Sequence, residues 1–450
     1  MKALRKNVLL AALALVLAVG LAACGNGAEG GDATTPDGNA GGASSDNKNV
    51  KTIELTLWDQ SVGATDPSAK LIPEIVDEWN KANPHIQVKR TGTSGEQYKT
   101  KIKTALAANE APDIFYGMGG GSFMQPYIEN GNVLDITSYV TDDVKARIKP
   151  GVLETLEYEG KLYTLPVYTH IANLYINTEL FEKAGASIPT TYTELLDAVQ
   201  KLRAAGITPA VVGEKDRWPG MYWFNIIAMR QAGYDAVVEA FHDPSKWNSP
   251  DIIEAARKLQ ELAKAGMFND SMFSMSYEEM LGAYNAGNAA MMFQANWVNA
   301  GIEDPSSATS GKVVVVPFPV FEDGKGTVHE FLGGSSDGFY ISANTKHPDE
   351  AYQFLLYLSE QLGTRGFLAG AGLPTWSTEG LDTSSLSQLD LTFAELMDTA
   401  EAFIPWWDNV FPASSADTHK NLIAQLLAGE ITPEQFAEQT AQLEPTELNL

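Results

Sequence analysis

Strand and helix patterns alternate as soon as the apolar code begins. In KTIELTLWDQ, Ile53, Leu55 and Leu57 alternate with polar residues, the period of a half-buried strand. In PSAKLIPEIVDEWNKANP, Leu71, Ile72, Ile75, Val76 and Trp79 fall on one helical face, with Ser68 as the candidate cap and Pro84 as the stop. HIQVKR reads as a second strand, EQYKTKIKTALAANEAP as a second helix ended by Pro112, and DIFYGM as a third strand. This order constrains the fold more than any single motif, because neighbouring parallel strands need a crossover between them, usually a helix. It predicts an α/β architecture with a right-handed parallel sheet.

The alternation continues to the end of the chain. KLYTLPVYTHIANLYIN reads as strands, TELFEKAG and TTYTELLDAVQKLRAAG as helices, and ITPAVVG as a strand. RWPGMYWFNIIAMRQAG and SPDIIEAARKLQELAKAG are helices, Tyr277 to Asn285 is helical, and AAMMF is a buried strand. KVVVVPFPVF is a strand that Pro317 interrupts, GFYISAN is a strand, and PDEAYQFLLYLSEQ is a helix. KNLIAQLLAG and PEQFAEQTAQL close the chain as helices. No repeat and no second linker breaks the body. Some 400 residues suffice for two lobes, and without a linker the chain has to cross between them more than once.

The first 50 residues obey different rules. Lys2, Arg5 and Lys6 form a basic head, and Val8 to Ala23 is an uncharged run of mostly Leu, Ala and Val. That run is shorter than the roughly 18–20 residues of a membrane-spanning helix and fits a signal peptide over 1–23. Cys24 is the single cysteine of 450 residues, so neither a disulfide nor a cysteine metal site is available. Residues 25–50 are rich in Gly, Ala, Ser, Asn and Asp, with no aromatic, and cannot bury a core. As a flexible tether they span about 28 Å root-mean-square. Net charge is −26, and removing Lys2, Arg5 and Lys6 takes it to −29. Such a field argues against nucleic acid and anionic membrane surfaces as partners.

Catalytic motifs do not emerge. GMGGGSF after the third strand lacks the glycine spacing or GK[ST] ending of a phosphate loop. None of the six histidines stands in an HExxH or HxH pattern. With 57 acidic residues a carboxylate pair for glycoside hydrolysis can always be proposed, but no motif selects one. The chain reads as a non-enzyme without cofactor or metal.

Tryptophan in loops stands out instead. Trp58 ends the first strand, Trp218 and Trp223 open a helix beside Tyr222 and Phe224, and Trp297 follows AAMMF. Trp376 lies in LPTW, and Trp406 and Trp407 in IPWWDN, whereas Trp79 and Trp247 read as core. Several neighbour side-chain amides or carboxylates: Asp59 and Gln60, Asn296, Asp408 and Asn409. Open α/β sheets bind ligands at strand ends. A pyranose offers an apolar C–H face to an aromatic ring and a rim of hydroxyls to polar groups, so the pattern points to a sugar.

LTLWDQ, APDIFYG, NGNVLDIT, GKLYTLPV, LYINTELFEKAG, TYTELLDAVQKL, AGNAAMMFQANW, DGFYISANTKHPDEAYQFLLYL and LPTW together resemble the extracellular solute-binding proteins of bacterial ABC sugar importers, the broad family of maltose-binding proteins. RWPGMYWFN and GGSSDGF resemble the subgroup for xylo-, raffinose- or other oligosaccharides, and Leu21-Ala22-Ala23-Cys24 resembles a lipobox. The resemblance implies a two-lobe periplasmic-binding-protein fold of the type II kind, with two or three crossovers and a ligand cleft between lobes. It implies lobe 1 at 51–165 plus 305–345 and lobe 2 at 166–304 plus 346–450. It implies a lipidated Cys24, a flexible linker over 24–50, a place on the outer face of the cytoplasmic membrane, a monomer, and permease subunits as partners. For the cleft it implies Trp58, Asp59, Gln60, Gly119, Gly120, Ser122, Asn296, Trp297, Trp406 and Trp407, then Trp218, Trp223, Trp376, Ser335, Ser336 and Asp337. His170 stands where some relatives carry a carboxylate, and Asp113 reads as structural. A surface glycoside hydrolase, or a binder of polyamine or peptide, is the alternative.

Overall fold

The computed structural model describes residues 51–446 except Thr65, residues 120–122, Gly151 and Ser336. The expected signal peptide, Cys24 and the expected linker therefore lie outside the described residues.

The opening pattern folds as read. Strand β1 (Ile53–Asp59), helix α1 (Pro67–Ala82), strand β2 (Ile86–Gly92), helix α2 (Gly95–Ala107) and strand β3 (Ile114–Met118) follow in order. β1 pairs in parallel with both β2 and β3. The cap of α1 is Asp66 rather than Ser68: its carboxylate accepts from the Ser68 N–H at 2.8 Å. Ile72, Ile75, Val76 and Trp79 of α1 are buried on the sheet, and the Trp79 indole donates to the Ile86 carbonyl at 3.1 Å. Asp113 is structural, accepting from the Thr56 N–H and hydroxyl and from the Thr345 hydroxyl.

The first sheet is completed by chain from elsewhere. Strand β4 (Thr164–Pro166) and β9 (Asp337–Ile341) extend it in the order β2-β1-β3-β9-β4, both added pairings antiparallel. The sheet is therefore mixed rather than wholly parallel. The second sheet is built on the long β5 (Tyr168–Asn177). β5 pairs antiparallel with β6 (Met291–Ala295), β7 (Val313–Val316), β8 (Glu330–Gly334) and β10 (Leu373–Pro374). β8 also pairs in parallel with β11 (Ala402–Ile404). Residues 207–213, read as a strand, contribute only isolated bridges at Ala210.

Each sheet has its own apolar core, and both belong to one contact unit, Val50–Leu450. The chain passes from one sheet to the other between Pro166 and Tyr168, between Gly334 and Asp337, and again near residues 374–389. This is the two-lobe solute-binding-protein fold with three crossovers. The segment boundaries differ from expectation. Residues 313–316 and 330–334 belong to lobe 2, because β7 and β8 complete its sheet. The helix Pro348–Gln361 belongs to lobe 1, because Ala351, Phe354, Leu355 and Leu358 pack into the core that holds Phe339 and Ile341. No helix among the described residues is long and apolar enough to cross a membrane.

Candidate functional site

Aromatic side chains from lobe 2 meet where its elements begin or end. The helix α3 (Trp218–Ala232) starts at Trp218-Pro219, a proline position that suits a first turn. Trp218 and Tyr222, four residues apart, share a helix face, with centroids 5.0 Å apart. Tyr277 opens the helix α4 (Tyr277–Asn285), which Ser276 and Glu279 cap reciprocally. Its ring lies 4.6 Å from Trp218. Trp406, just after β11, stacks on Tyr222 at 4.7 Å and 18°. Trp297, just after β6, meets Trp406 edge-on at 5.2 Å, and its indole N–H donates to the Tyr277 hydroxyl at 2.9 Å. These five side chains close a ring of contacts. His170 and Tyr168 extend it toward the first crossover, at 5.1 Å and 5.7 Å between successive centroids. Trp218, Tyr277 and Trp297 are only half-buried, so their rings face outward from lobe 2.

Lobe 1 supplies a polar wall. The Tyr116 hydroxyl donates to Asp337 Oδ2 at 2.7 Å. The charge of Asp66 acts on Tyr116 and Tyr168, and across the lobes on Tyr277 and Glu278. The charge of Asp337 acts on Tyr222 in lobe 2. Asp66 and Asp337 of lobe 1 are therefore within electrostatic reach of Tyr277 and Tyr222 of the aromatic set.

Burial sets the protonation states. It raises the Asp66 carboxyl above its ordinary value against the hydrogen bonds that its cap makes. It pushes His170 down to about 4, opposed by a hydrogen bond with Asn296, so the imidazole is neutral at pH 7. His170 Nδ1 has no partner among the described residues, although the side chain is only 9% exposed. Beneath the start of α3 lies Glu214, fully buried and pushed up to about 8 by burial, with the charge of Arg217 and the Gly220 N–H pulling the other way. A Cβ at residue 220 would fall into that carboxyl, which is why glycine stands there. Arg217, at φ 67, takes a positive-φ conformation uncommon outside glycine at the entry to α3. Among the described residues no cluster of three His, Cys, Asp or Glu could hold a metal ion.

The structure divides the expected site residues. Trp218, Trp297, Trp406 and His170 are brought together in the aromatic set, and Asp337 accepts from Tyr116 in lobe 1. Asn296 stands behind the set, with Oδ1 accepting from the Ile171 N–H at 3.1 Å. Ser335 lies at the second crossover, its hydroxyl bonded to the Thr169 hydroxyl. Gln60 and Gly119 are half-buried at the ends of β1 and β3. Gly120, Ser122 and Ser336 lie outside the described residues.

Four expectations do not hold as stated. Trp223 is 1% exposed among Phe268, Phe293 and Phe318, because it projects from α3 away from the Trp218–Tyr222 face. Trp407 is fully buried among Phe224, Phe241, Trp247 and His419. Trp376 is 1% exposed in the lobe 1 core, its indole donating to the Pro166 carbonyl at 2.8 Å. Asp59 is 1% exposed, and both its oxygens accept from Arg90 at 2.6 Å, so its carboxylate holds β1 to β2. Trp58 is half-buried at the end of β1, with the Lys101 ammonium 3.8 Å from its ring centroid. Sequence reasoning passed over Asp66, Tyr116 and Tyr277 as cleft residues. Asp66-Pro67 and Ser276-x-x-Glu279 are helix-start signatures, which place two of them at helix N-termini, but nothing in their spacing shows that those ends meet.

Comparisons with known proteins agree with this fold. Residues 64–361 match the family model of the bacterial extracellular solute-binding proteins, and the chain belongs to that family. The multiple sugar-binding protein of Streptococcus mutans is 24% identical over 326 residues, covering 70% of this chain and 73% of its own length. A solved structure from work on xylan utilization by the thermophilic bacterium Caldanaerobius polysaccharolyticus is 39% identical with a TM-score of 0.83, covering 87% of this chain and 99% of that one. A chitin oligosaccharide binding protein shares the fold at 24% identity and a TM-score of 0.77, covering 87% of this chain and 98% of that one.

Proposed function

We propose that the protein is the substrate-binding component of an ABC importer, capturing an oligosaccharide between its lobes and delivering it to a membrane permease. The observation that carries this is the ring set of Trp218, Tyr222, Tyr277, Trp297 and Trp406, with Asp66 and Asp337 of lobe 1 in electrostatic reach of it. The rings take the C–H faces of pyranoses, and the carboxylates, Tyr116 and neutral His170 take hydroxyls. A track of rings from Tyr168 to Trp218 is longer than one sugar needs, which favours two to four units. The sugar-binding and xylan-utilization relatives support the reading.

The protein acts by closure rather than chemistry. Sugar held by both lobes shifts the open–closed balance by its preference for the closed form. Affinity near micromolar, about −8 kcal/mol, suits capture and release. A lipid on Cys24 and the linker after it keep a monomeric receptor at the outer face of the cytoplasmic membrane, near its permease.

A thermal-shift screen against mono- and oligosaccharides tests this. One or more oligosaccharides should raise the melting temperature more than any monosaccharide, and Trp297→Ala should remove the best shift. Binding that survives Trp297→Ala unchanged would refute the site. Recovery of hydrolysed sugar after incubation would favour a glycosidase instead.

A further inference from the structure

This inference rests on the cleft being a sugar site and concerns how one of its residues is held. β5 leaves the first crossover at Tyr168, and two residues further on His170 joins the aromatic set, 5.1 Å from Trp297. Residues two apart on a strand share a face, and the rings of Tyr168 and His170 meet edge-on at 5.7 Å and 65°. His170 bonds with Asn296 and leaves Nδ1 without a partner among the described residues. A sugar hydroxyl can use that nitrogen only while the imidazole keeps its orientation. The ladder of β5 holds its backbone, so the orientation of the ring depends on the side chains and glycines packed around it.

That support comes from lobe 1. The hydroxyls of Tyr168 and Ser68 are hydrogen-bonded at 3.2 Å, and Ser68 stands in the first turn of α1. A π-helical turn at Leu362–Gly366, a rare geometry that recurs at functional sites, is tied to the same helix: Arg365 pairs with Glu74 at 3.1 Å and with Glu78 at 2.9 Å. The last residue of that turn lies against Tyr168. A Cβ at residue 366 would stand 2.6 Å from Tyr168 Cε1 and Cζ. A Cβ at residue 372 would stand 2.6 Å from Tyr168 Cβ and 2.7 Å from His170 Cε1. Neither glycine has a positive φ, so space and not backbone conformation demands glycine at both. α1 therefore holds the Tyr168 hydroxyl directly and the Tyr168 ring through the π-helical turn. We propose that Tyr168 is a positioning residue: held from lobe 1 through Ser68 and Gly366, it sets the His170 imidazole for sugar, so that a bond between the lobes governs how a cleft residue of lobe 2 meets its ligand.

Two measurements on the full chain test this. The first is calorimetric titration with xylotriose, maltotriose and chitotriose. For whichever binds, Tyr168→Phe, which keeps the ring and removes the hydroxyl, should weaken affinity about two- to tenfold, the range of one neutral hydrogen bond. Gly366→Ala, which pushes a methyl into the ring, should weaken it at least as much. In a His170→Ala background neither change should alter affinity by more than about 1.5-fold, because both act through the imidazole. The second measurement needs no sugar. Long-range proton–nitrogen spectra resolve the six histidines, and His170→Ala assigns the His170 signal. Tyr168→Phe and Gly366→Ala should move that signal and leave the other five in place. Affinity unchanged in both variants overturns the proposal. So does an equal loss with and without His170, which would make Tyr168 a direct contact or a merely structural residue. So does a His170 signal that neither variant moves. Failure of every trisaccharide to bind the unaltered protein refutes the sugar cleft itself, and the His170 signal then decides the positioning role alone.

Discussion

Single side chains decide how the cleft is held. Glu214 supports the start of α3, and so the position of Trp218 and Tyr222, from a buried site where its carboxyl is pushed up to about 8. Its folded value lies above the unfolded one. The stabilising contribution of the protonated form is therefore present below about 4.5 and is lost as pH rises toward 8. Glu214→Gln keeps a neutral side chain at every pH. The variant should gain stability relative to the unaltered protein as pH rises from 5 to 8.5, by up to about 3 kcal/mol. Thermal melts across that range check it, and a pH-independent difference would show that Glu214 is not the titrating group. The residue scale is also where sequence and structure part. Trp406 and Trp407 are neighbours, yet one stacks on Tyr222 and the other is fully buried beside Phe241. Trp218 and Trp223 divide in the same way. Nearly every residue of α3 is buried, so its pattern has no polar stripe from which the cleft side could be read.

Helices and strands were legible singly, because their periods are local, but their partners were not. Tyr277–Asn285 and the end of β7 before Pro317 stand where the pattern puts them. β7 pairs with β5 across more than a hundred residues of chain, a register no local period encodes. The helix Pro348–Gln361 shows the consequence. Its apolar face is plain in PDEAYQFLLYL, but only the fold sets that face against lobe 1, where Phe354 meets Trp79 edge-on at 5.4 Å. Phe354→Ala should leave a cavity in that core and cost about 3–5 kcal/mol. Urea denaturation followed by tryptophan fluorescence checks it, and a loss below about 1 kcal/mol would place the helix elsewhere.

Across the whole molecule the two lobes meet through charge as well as through the cleft. The charges of Glu96 and Lys103 on α2 of lobe 1 and those of the helix Ala413–Ala428 of lobe 2 act on one another. Lys420 feels the charge of Glu96, and Lys103 feels Asp417 and Lys420. The attraction of Glu96 for Lys420 should tighten as the lobes close on sugar. Lys420→Glu should weaken sugar affinity about three- to tenfold, and adding Glu96→Lys should restore part of the loss. Calorimetry on the single and double variants checks the coupling, and additive losses would rule it out. Sugar should also reduce the radius of gyration in solution scattering, the signature of hinge closure.

The sequence by itself determined the alternation of strands and helices, the α/β class, and an aromatic, uncharged ring chemistry suited to sugars. Those follow from local period and residue type, which a short window carries. Only the tertiary structure decided which lobe owns residues 313–334 and 348–361, and that Asp59 binds Arg90 rather than facing the cleft. It alone brought Tyr116 to Asp337 and Tyr277 to Trp218 and Trp297, and it alone separated Trp297 and Trp406 from Trp376 and Trp407. The reason is physical: a side chain's face depends on which distant strand its own element packs against, and the chain crosses between lobes three times before that is settled.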